Sequence, residues 1–136
     1  MVENVLVDAS FMVALLNRRD RHHRWSVATA EHFPPPWQTC GAALSEAHHL
    51  LGLRGAHALR SLLRRGAVVV GFDLSADLEP VLKLLQKYED RPTSLADICL
   101  VRMTETLSAP LVLTTDSDFR VYRRHGRQVV PCMLPS

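Results

Sequence analysis

Four short stretches of this 136-residue chain set a carboxylate among small, hydroxyl-bearing or apolar neighbours: VLVDAS with Asp8, LSEAHHLL with Glu46, SLADICLV with Asp97 and LTTDSDF with Asp116. Asp97 is the most conspicuous, standing among Leu95, Ala96, Ile98, Cys99, Leu100 and Val101, because aspartate is almost never fully buried without a partner. Each acid taken singly has an ordinary structural use. Asp8 and Asp116 suit the turn after a strand. Ser94 followed three residues later by Asp97 approaches a capping box, and acid in a helix's first turn favours its dipole. Four such acids in one cleft need more than this. Like charges raise each other's pKa unless a cation lies between them, and an all-oxygen carboxylate set suits Mg²⁺ or Mn²⁺.

The elements that must position these acids follow from local pattern. VLV (5–7) is a β-branched apolar run that predicts a buried strand ending at Asp8. Ser10 is expected to cap a helix over 11–17, and a second helix over 25–33 stops at Pro34, Pro35 and Pro36. A strand over 36–41 precedes a helix over 43–53, whose capping near Thr39 to Gly41 leaves Glu46 in its first turns. Gly52 to Gly55 breaks that helix, and another over 56–65 closes at Gly66 as its C′ residue. A strand over 67–72 leads to an amphipathic helix over 75–88, with Pro80 in its first turns allowing a later start. A helix over 95–107, a strand over 111–113, a polar turn over 114–119 and a last strand over 128–134 complete the pattern. Strands alternating with helices predict an α/β fold with a mostly parallel sheet covered on both faces. Right-handed crossovers then put every strand's C-terminal end at one edge, where ligands of such sheets bind. Helix N-termini arrive at the same edge, so Glu46 and Asp97 are delivered beside Asp8 and Asp116.

Composition sets the outer bounds. The chain is 47% hydrophobic and 22% charged, which fits one domain over 1–136 with a real core. No apolar run approaches a membrane span, so no membrane association is expected. Glu3 and Asp8 stand where an export signal would carry basic charge, which points away from export. Cys40, Cys99 and Cys132 make no close pair, as expected in a reducing cytoplasm, with Cys99 a buried small hydrophobe. The net charge is +2, and all of the basic residues but Lys83 and Lys87 are arginine. They cluster as Arg18, Arg19, Arg21 and Arg24, as Arg60, Arg64 and Arg65, and as Arg120, Arg123, Arg124 and Arg127. A charge run is commonly a solvated face; its functional alternative is a phosphate-binding rim.

VLVDAS, LSEAHHLL, SLADICLV and LTTDSDF, in that order and spacing and followed by RVYRRHG, resemble the PIN-domain ribonucleases, specifically the VapC-type toxins of type II toxin–antitoxin systems. The resemblance covers nearly the whole chain. It implies a three-layer α/β/α sandwich with a parallel sheet of about five strands. It also implies that Asp8, Glu46, Asp97 and Asp116 form an acidic quartet. In that role Asp8, Asp97 and Asp116 hold Mg²⁺ or Mn²⁺ directly or through water, and Glu46 completes the shell or orients the attacking water. Asp118 matches a less regular acidic position, and Ser10 and Thr114 match small hydroxyl residues that support the carboxylates. Ile98 and Cys99 are bulkier than the residues common after the third acid. The implied activity is metal-assisted hydrolysis of RNA, with a cognate antitoxin and a homodimer as the implied assembly. Under this reading Arg18, Arg19, Arg21 and Arg24, with Arg120, Arg123 and Arg124, become candidate RNA-backbone contacts.

Other residues and functions carry less weight. Adjacent histidines on a helix, His22 with His23 and His48 with His49, do not share a face and chelate poorly. Asp73 reads as part of a helix start, and Trp25 and Trp37 as packing groups. Haloacid-dehalogenase phosphatases want an acid where Ser10 stands, and receiver domains want a Lys after the last strand, where there is none. The alternative of another class is a PIN-like RNA-binding or regulatory module without turnover, acting through a protein partner.

Overall fold

The computed structural model describes residues 1–136. β1 (Asn4–Val7) is followed by α1 (Ala9–Leu16), α2 (His23–His32), β2 (Trp37–Thr39), α3 (Gly41–Arg64) and β3 (Val68–Val70). α4 (Leu78–Lys87) and α5 (Leu95–Thr106) then lead to β4 (Pro110–Leu113), a short 3₁₀ turn (Ser117–Arg120), β5 (Arg123–Arg124), β6 (Gln128–Val129) and β7 (Cys132–Met133). Five strands form one sheet in the order β3-β2-β1-β4-β7, every neighbouring pair parallel. The five helices flank it, as the α/β/α reading requires. No helix is long and apolar enough to cross a membrane.

The order of strands explains where a site can form. The chain steps outward from β1 through β2 to β3, then returns past β1 to β4. Adjacent connections that leave in opposite directions open a crevice at the strand C-termini. That switch point lies between β1 and β4, whose register pairs Val7 with Leu113. The two strands therefore end level, and the residues next in line, Asp8 and Thr114, emerge side by side.

The sheet is anchored by a continuous core that includes Leu6, Val7, Val112 and Leu113 with no exposed surface, packed with Phe11, Met12, Ile98 and Leu100. Burying side chains of this size contributes about 1.5–3 kcal/mol each. Trp25 and Trp37 both meet Phe11 edge-on, with ring centroids 6.0 and 5.7 Å away, so the tryptophans pack as expected. Cys40 and Cys99 are buried and free.

Three local expectations are corrected. Ser10 does not cap α1: the helix starts two residues earlier, and Asp8 is its N-cap, accepting from the Phe11 N–H at 2.9 Å. The last strand is not one run over 128–134. Gln128 and Val129 pair antiparallel with Arg123 and Arg124, and only Cys132–Met133 joins the main sheet beside β4. The amphipathic helix begins at Leu78 rather than at Ser75, because the Asp73 carboxylate accepts the Ser75 N–H at 3.0 Å and holds that segment in a turn. The break at Gly52 is present as a bend within α3, with φ 69°, a left-handed value that glycine adopts without steric cost. Gly66 follows α3 with φ 73°, as a C′ residue should.

Candidate functional site

Asp8 is 4% exposed and its carboxylate is almost fully engaged. Oδ1 accepts from the Phe11 N–H and, at 2.8 Å, from the Ser10 hydroxyl. Oδ2 accepts from the Thr114 hydroxyl. Both hydroxyls also reach across to the loop after β4: Ser10 Oγ accepts the Thr115 N–H and Thr114 Oγ1 accepts the Asp116 N–H, each at 2.9 Å. Two small hydroxyl side chains thus tie the first-strand acid to the fourth-strand loop.

Asp116 is half-buried and caps the 3₁₀ turn, accepting the Asp118 N–H at 2.9 Å. Asp97 enters from α5. Ser94 is that helix's N-cap and accepts the Asp97 N–H at 3.0 Å. The Asp97 carboxylate takes a different partner: its Oδ2 accepts from the Tyr122 hydroxyl at 2.9 Å. Carboxylate oxygens of Asp97, Asp116 and Asp118 all lie within 4.8 Å of one another. Asp118, read from sequence as an accessory position, stands inside this group, whereas Asp8 sits deeper, below it. Glu46 is exposed on the first turns of α3, close enough for its charge to act on Asp97.

The electrostatics follow from this crowding. Burial pushes the Asp8 carboxyl up to about 7, against the hydrogen bonds from Thr114, Phe11 and Ser10 and with help from the charge on Asp97. Asp97 is pushed up to about 6, first by burial, with the Tyr122 bond opposing and the charges on Asp116 and Glu46 adding. Tyr122 is itself held above the ordinary tyrosine range by burial and by the negative charge on Asp97. A divalent cation would offset the mutual repulsion of Asp97, Asp116 and Asp118. Three half-buried carboxylates with oxygens this close make a donor set of the hard-oxygen kind that Mg²⁺ and Mn²⁺ take.

Sequence reasoning missed two residues here. Arg91, in the loop before α5, pairs its Nη2 with Asp118 Oδ1 at 3.0 Å and is the one cation ion-paired with any of these acids. Its Nε is buried without a partner. Tyr122 has no exposed surface and meets Tyr88 and Phe119 edge-on at 5.2 and 5.3 Å, an aromatic wall behind the acids. The only signal for Arg91 was a lone arginine just ahead of an N-cap serine, and for Tyr122 a polar-tipped aromatic that needs a partner when buried.

The arginine clusters divide. Arg123 Nη1 donates to the carbonyls of Arg120 and Tyr122 at 2.8 and 3.0 Å. Arg124 Nη2 donates to the Thr104 carbonyl in the last turn of α5. Both guanidinium groups bond backbone carbonyls within the fold and stay partly exposed. Arg120 remains exposed. Arg18, Arg19, Arg21 and Arg24 are exposed too, but the eight residues of α1 carry them about 12 Å from the acid edge. His48 and His49 are exposed, as expected for groups outside the site.

Comparison with known proteins supports the same frame. The family model described as the PIN domain matches residues 5–124. The crystal structure of VapC20 of Mycobacterium tuberculosis, a toxin that cleaves the sarcin-ricin loop, superposes with a TM-score of 0.77 at 24% identity, over 87% of this chain and 94% of that one. No curated protein matches at a significant level. From the family match over most of its length, the chain belongs to the PIN-domain family.

Proposed function

We propose that this protein is a metal-dependent endoribonuclease and the toxin of a VapBC-type toxin–antitoxin pair. One observation supports the reading: oxygens of Asp97, Asp116 and Asp118, from two separate segments, lie within 4.8 Å of one another near the buried Asp8, with Arg91 ion-paired to Asp118. Asp97, Asp116 and Asp118, with Asp8 below, are the groups that would hold Mg²⁺ or Mn²⁺. An ion held there would supply a more acidic bound water and positive charge against the charge that develops on the phosphodiester. Asp8 and Tyr122 fix the positions of their neighbours, and the crowded carboxylates supply negative charge in a half-buried setting. Glu46, exposed at the rim, would complete the shell or orient the attacking water.

The toxin reading extends to an antitoxin that places a basic side chain among these acids, to a homodimer, and to action in the cytoplasm. The test is incubation of purified protein, freed of any antitoxin, with a mixed RNA pool with and without Mn²⁺ or Mg²⁺, beside Asp8→Asn. Cleavage that needs both the metal and Asp8 is the expected result. Cleavage that survives either loss overturns the assignment.

A further inference from the structure

Between Ala47 and Phe72 the chain contains no Asp or Glu, yet carries Arg54, Arg60, Arg64 and Arg65. All four are exposed, and none takes part in any of the three ion pairs of the molecule. On a solvated helix face arginines are commonly balanced by acids three or four residues away. Here Arg60 and Arg64 are themselves four apart, a like-charge spacing that destabilises the helix and that a bound polyanion would reverse.

These side chains line concave surface, not a convex face. Arg60, Ser61, Arg64, Arg65 and His57 enclose a depression of about 270 Å³ with no apolar residue in its wall. One turn toward the Gly52 bend, Arg54 joins Arg18 and Arg19 around a larger groove of about 600 Å³, floored by Leu16, Leu51 and Ala58. α1 starts at the Asp8 cap and ends at Leu16, in the wall of this groove. The two hollows share the part of α3 that follows the bend and form one basic track, whose nearer hollow lies about 12 Å, the length of α1, from the acid edge. From Arg54 to Arg64 it runs about 15 Å along the helix.

We propose that this track binds the sugar–phosphate backbone of an RNA whose scissile bond lies in the acid cleft. The proposal rests on the ribonuclease reading above and adds to it a second contact surface that holds substrate flanking the cleavage point. A wall of guanidinium groups with a serine hydroxyl and the His57 imidazole, and no apolar side chain in the far hollow, favours phosphate over base faces. The track thus confers affinity and a preference for longer RNA, with no sequence preference of its own.

The experiment compares the full-length protein with Arg60→Gln/Arg64→Gln and with Arg60→Lys/Arg64→Lys. Fluorescence anisotropy in EDTA measures binding to a labelled RNA of about 20 nucleotides, a length longer than the ~4–16 nucleotides that a single-strand site spans, across a salt series. Cleavage with Mn²⁺ is measured on that RNA and on a hexanucleotide cut from around its cleavage site. The Gln pair is expected to weaken binding of the long RNA about fivefold or more and to lower the salt slope by about 1.4, at about 0.7 per lost contact on a single strand. The Lys pair restores most of both, and hexanucleotide cleavage is unchanged. Wild-type binding and salt slope in the Gln pair overturn the proposal, as does failure of the wild-type protein to bind the RNA. Unchanged RNA binding alongside lost retention on polyglutamate also overturns it, by making the track a docking surface for an acidic protein. If the wild-type protein binds RNA through the track but cleaves none with metal, the ribonuclease reading falls while the track stands.

Discussion

The Tyr122 hydroxyl, on a side chain with no exposed surface, donates to Asp97 Oδ2 across 2.9 Å, joining residues 25 positions apart. The bond favours the ionised form of Asp97 and works against the burial that pushes it up to about 6. Tyr122→Phe removes the donor and leaves the aromatic wall of Tyr88 and Phe119 intact. The acidic limb of the cleavage profile should then move up by about half a unit to one unit. Stability should change by about 1 kcal/mol or less, since a hydroxyl is lost without a cavity. A pH–rate profile beside a melting curve checks both; an unmoved acidic limb rules out the coupling.

Asp8 gives the fold a pH dependence of unusual sign. The folded chain keeps this proton up to about pH 7, whereas an ordinary aspartate releases it near 3.8. The folded state therefore binds more protons between those values, and metal-free stability falls as pH rises through that window, then levels off. A shift of this size corresponds to about 4 kcal/mol at most. Asp8→Asn removes the charge while keeping a good N-cap residue. In EDTA at pH 8 it should melt several degrees above the wild-type protein, with the difference closing near pH 4, and it should not cleave RNA. Equal melting at both pH values would mean that the folded chain does not hold this proton.

A metal that binds only the folded chain raises Tm by mass action. Added Mn²⁺ should raise the melting temperature of the wild-type protein at pH 8 and do so less at pH 5.5, where Asp8 and Asp97 take protons. EDTA should reverse the gain, and Asp116→Asn or Asp118→Asn should each reduce it. Differential scanning fluorimetry settles the point, and a pH-independent gain counts against binding at these carboxylates.

Arg91 and Asp118 form a pair exposed by 32% and 39%, so its loss should cost the fold less than about 1 kcal/mol. Its role is to orient a carboxylate within the group of three. Arg91→Met should weaken Mn²⁺ affinity several-fold by isothermal titration with little change in Tm, and Arg91→Lys should restore part of it. Wild-type affinity in the Met variant would show that Asp118 needs no such support.

Arg124 separates structure from RNA contact. Its guanidinium donates to the Thr104 carbonyl at the end of α5, and Arg124→Ala should destabilise the fold by about 1–2 kcal/mol with unchanged RNA affinity. A stable variant with weakened RNA binding would return Arg124 to the RNA-facing set.

Much of this protein is legible in the residues alone. The β-branched runs, the breaks at Gly52 and Gly66 and the alternation of strand and helix determine five parallel strands. In such a fold strand C-termini and helix N-termini meet at one edge by chain geometry, so an expectation that Asp8, Glu46, Asp97 and Asp116 gather there needs no knowledge of side-chain packing, whereas the close approach of Asp118 to Asp97 and Asp116 does. Tertiary structure decided what local pattern does not encode. Asp8 became the cap in place of Ser10 because the level ends of β1 and β4 bring Thr114 and Thr115 within reach of the serine hydroxyl. Arg91 found Asp118 and Tyr122 found Asp97 across 27 and 25 residues, pairings that have no period and no local motif. Whether an arginine is free for phosphate, as Arg60 and Arg64 are, or held by a carbonyl, as Arg123 and Arg124 are, depends on which unsatisfied backbone groups fold up beside it. The amino-acid sequence placed the charges; packing and register chose their partners.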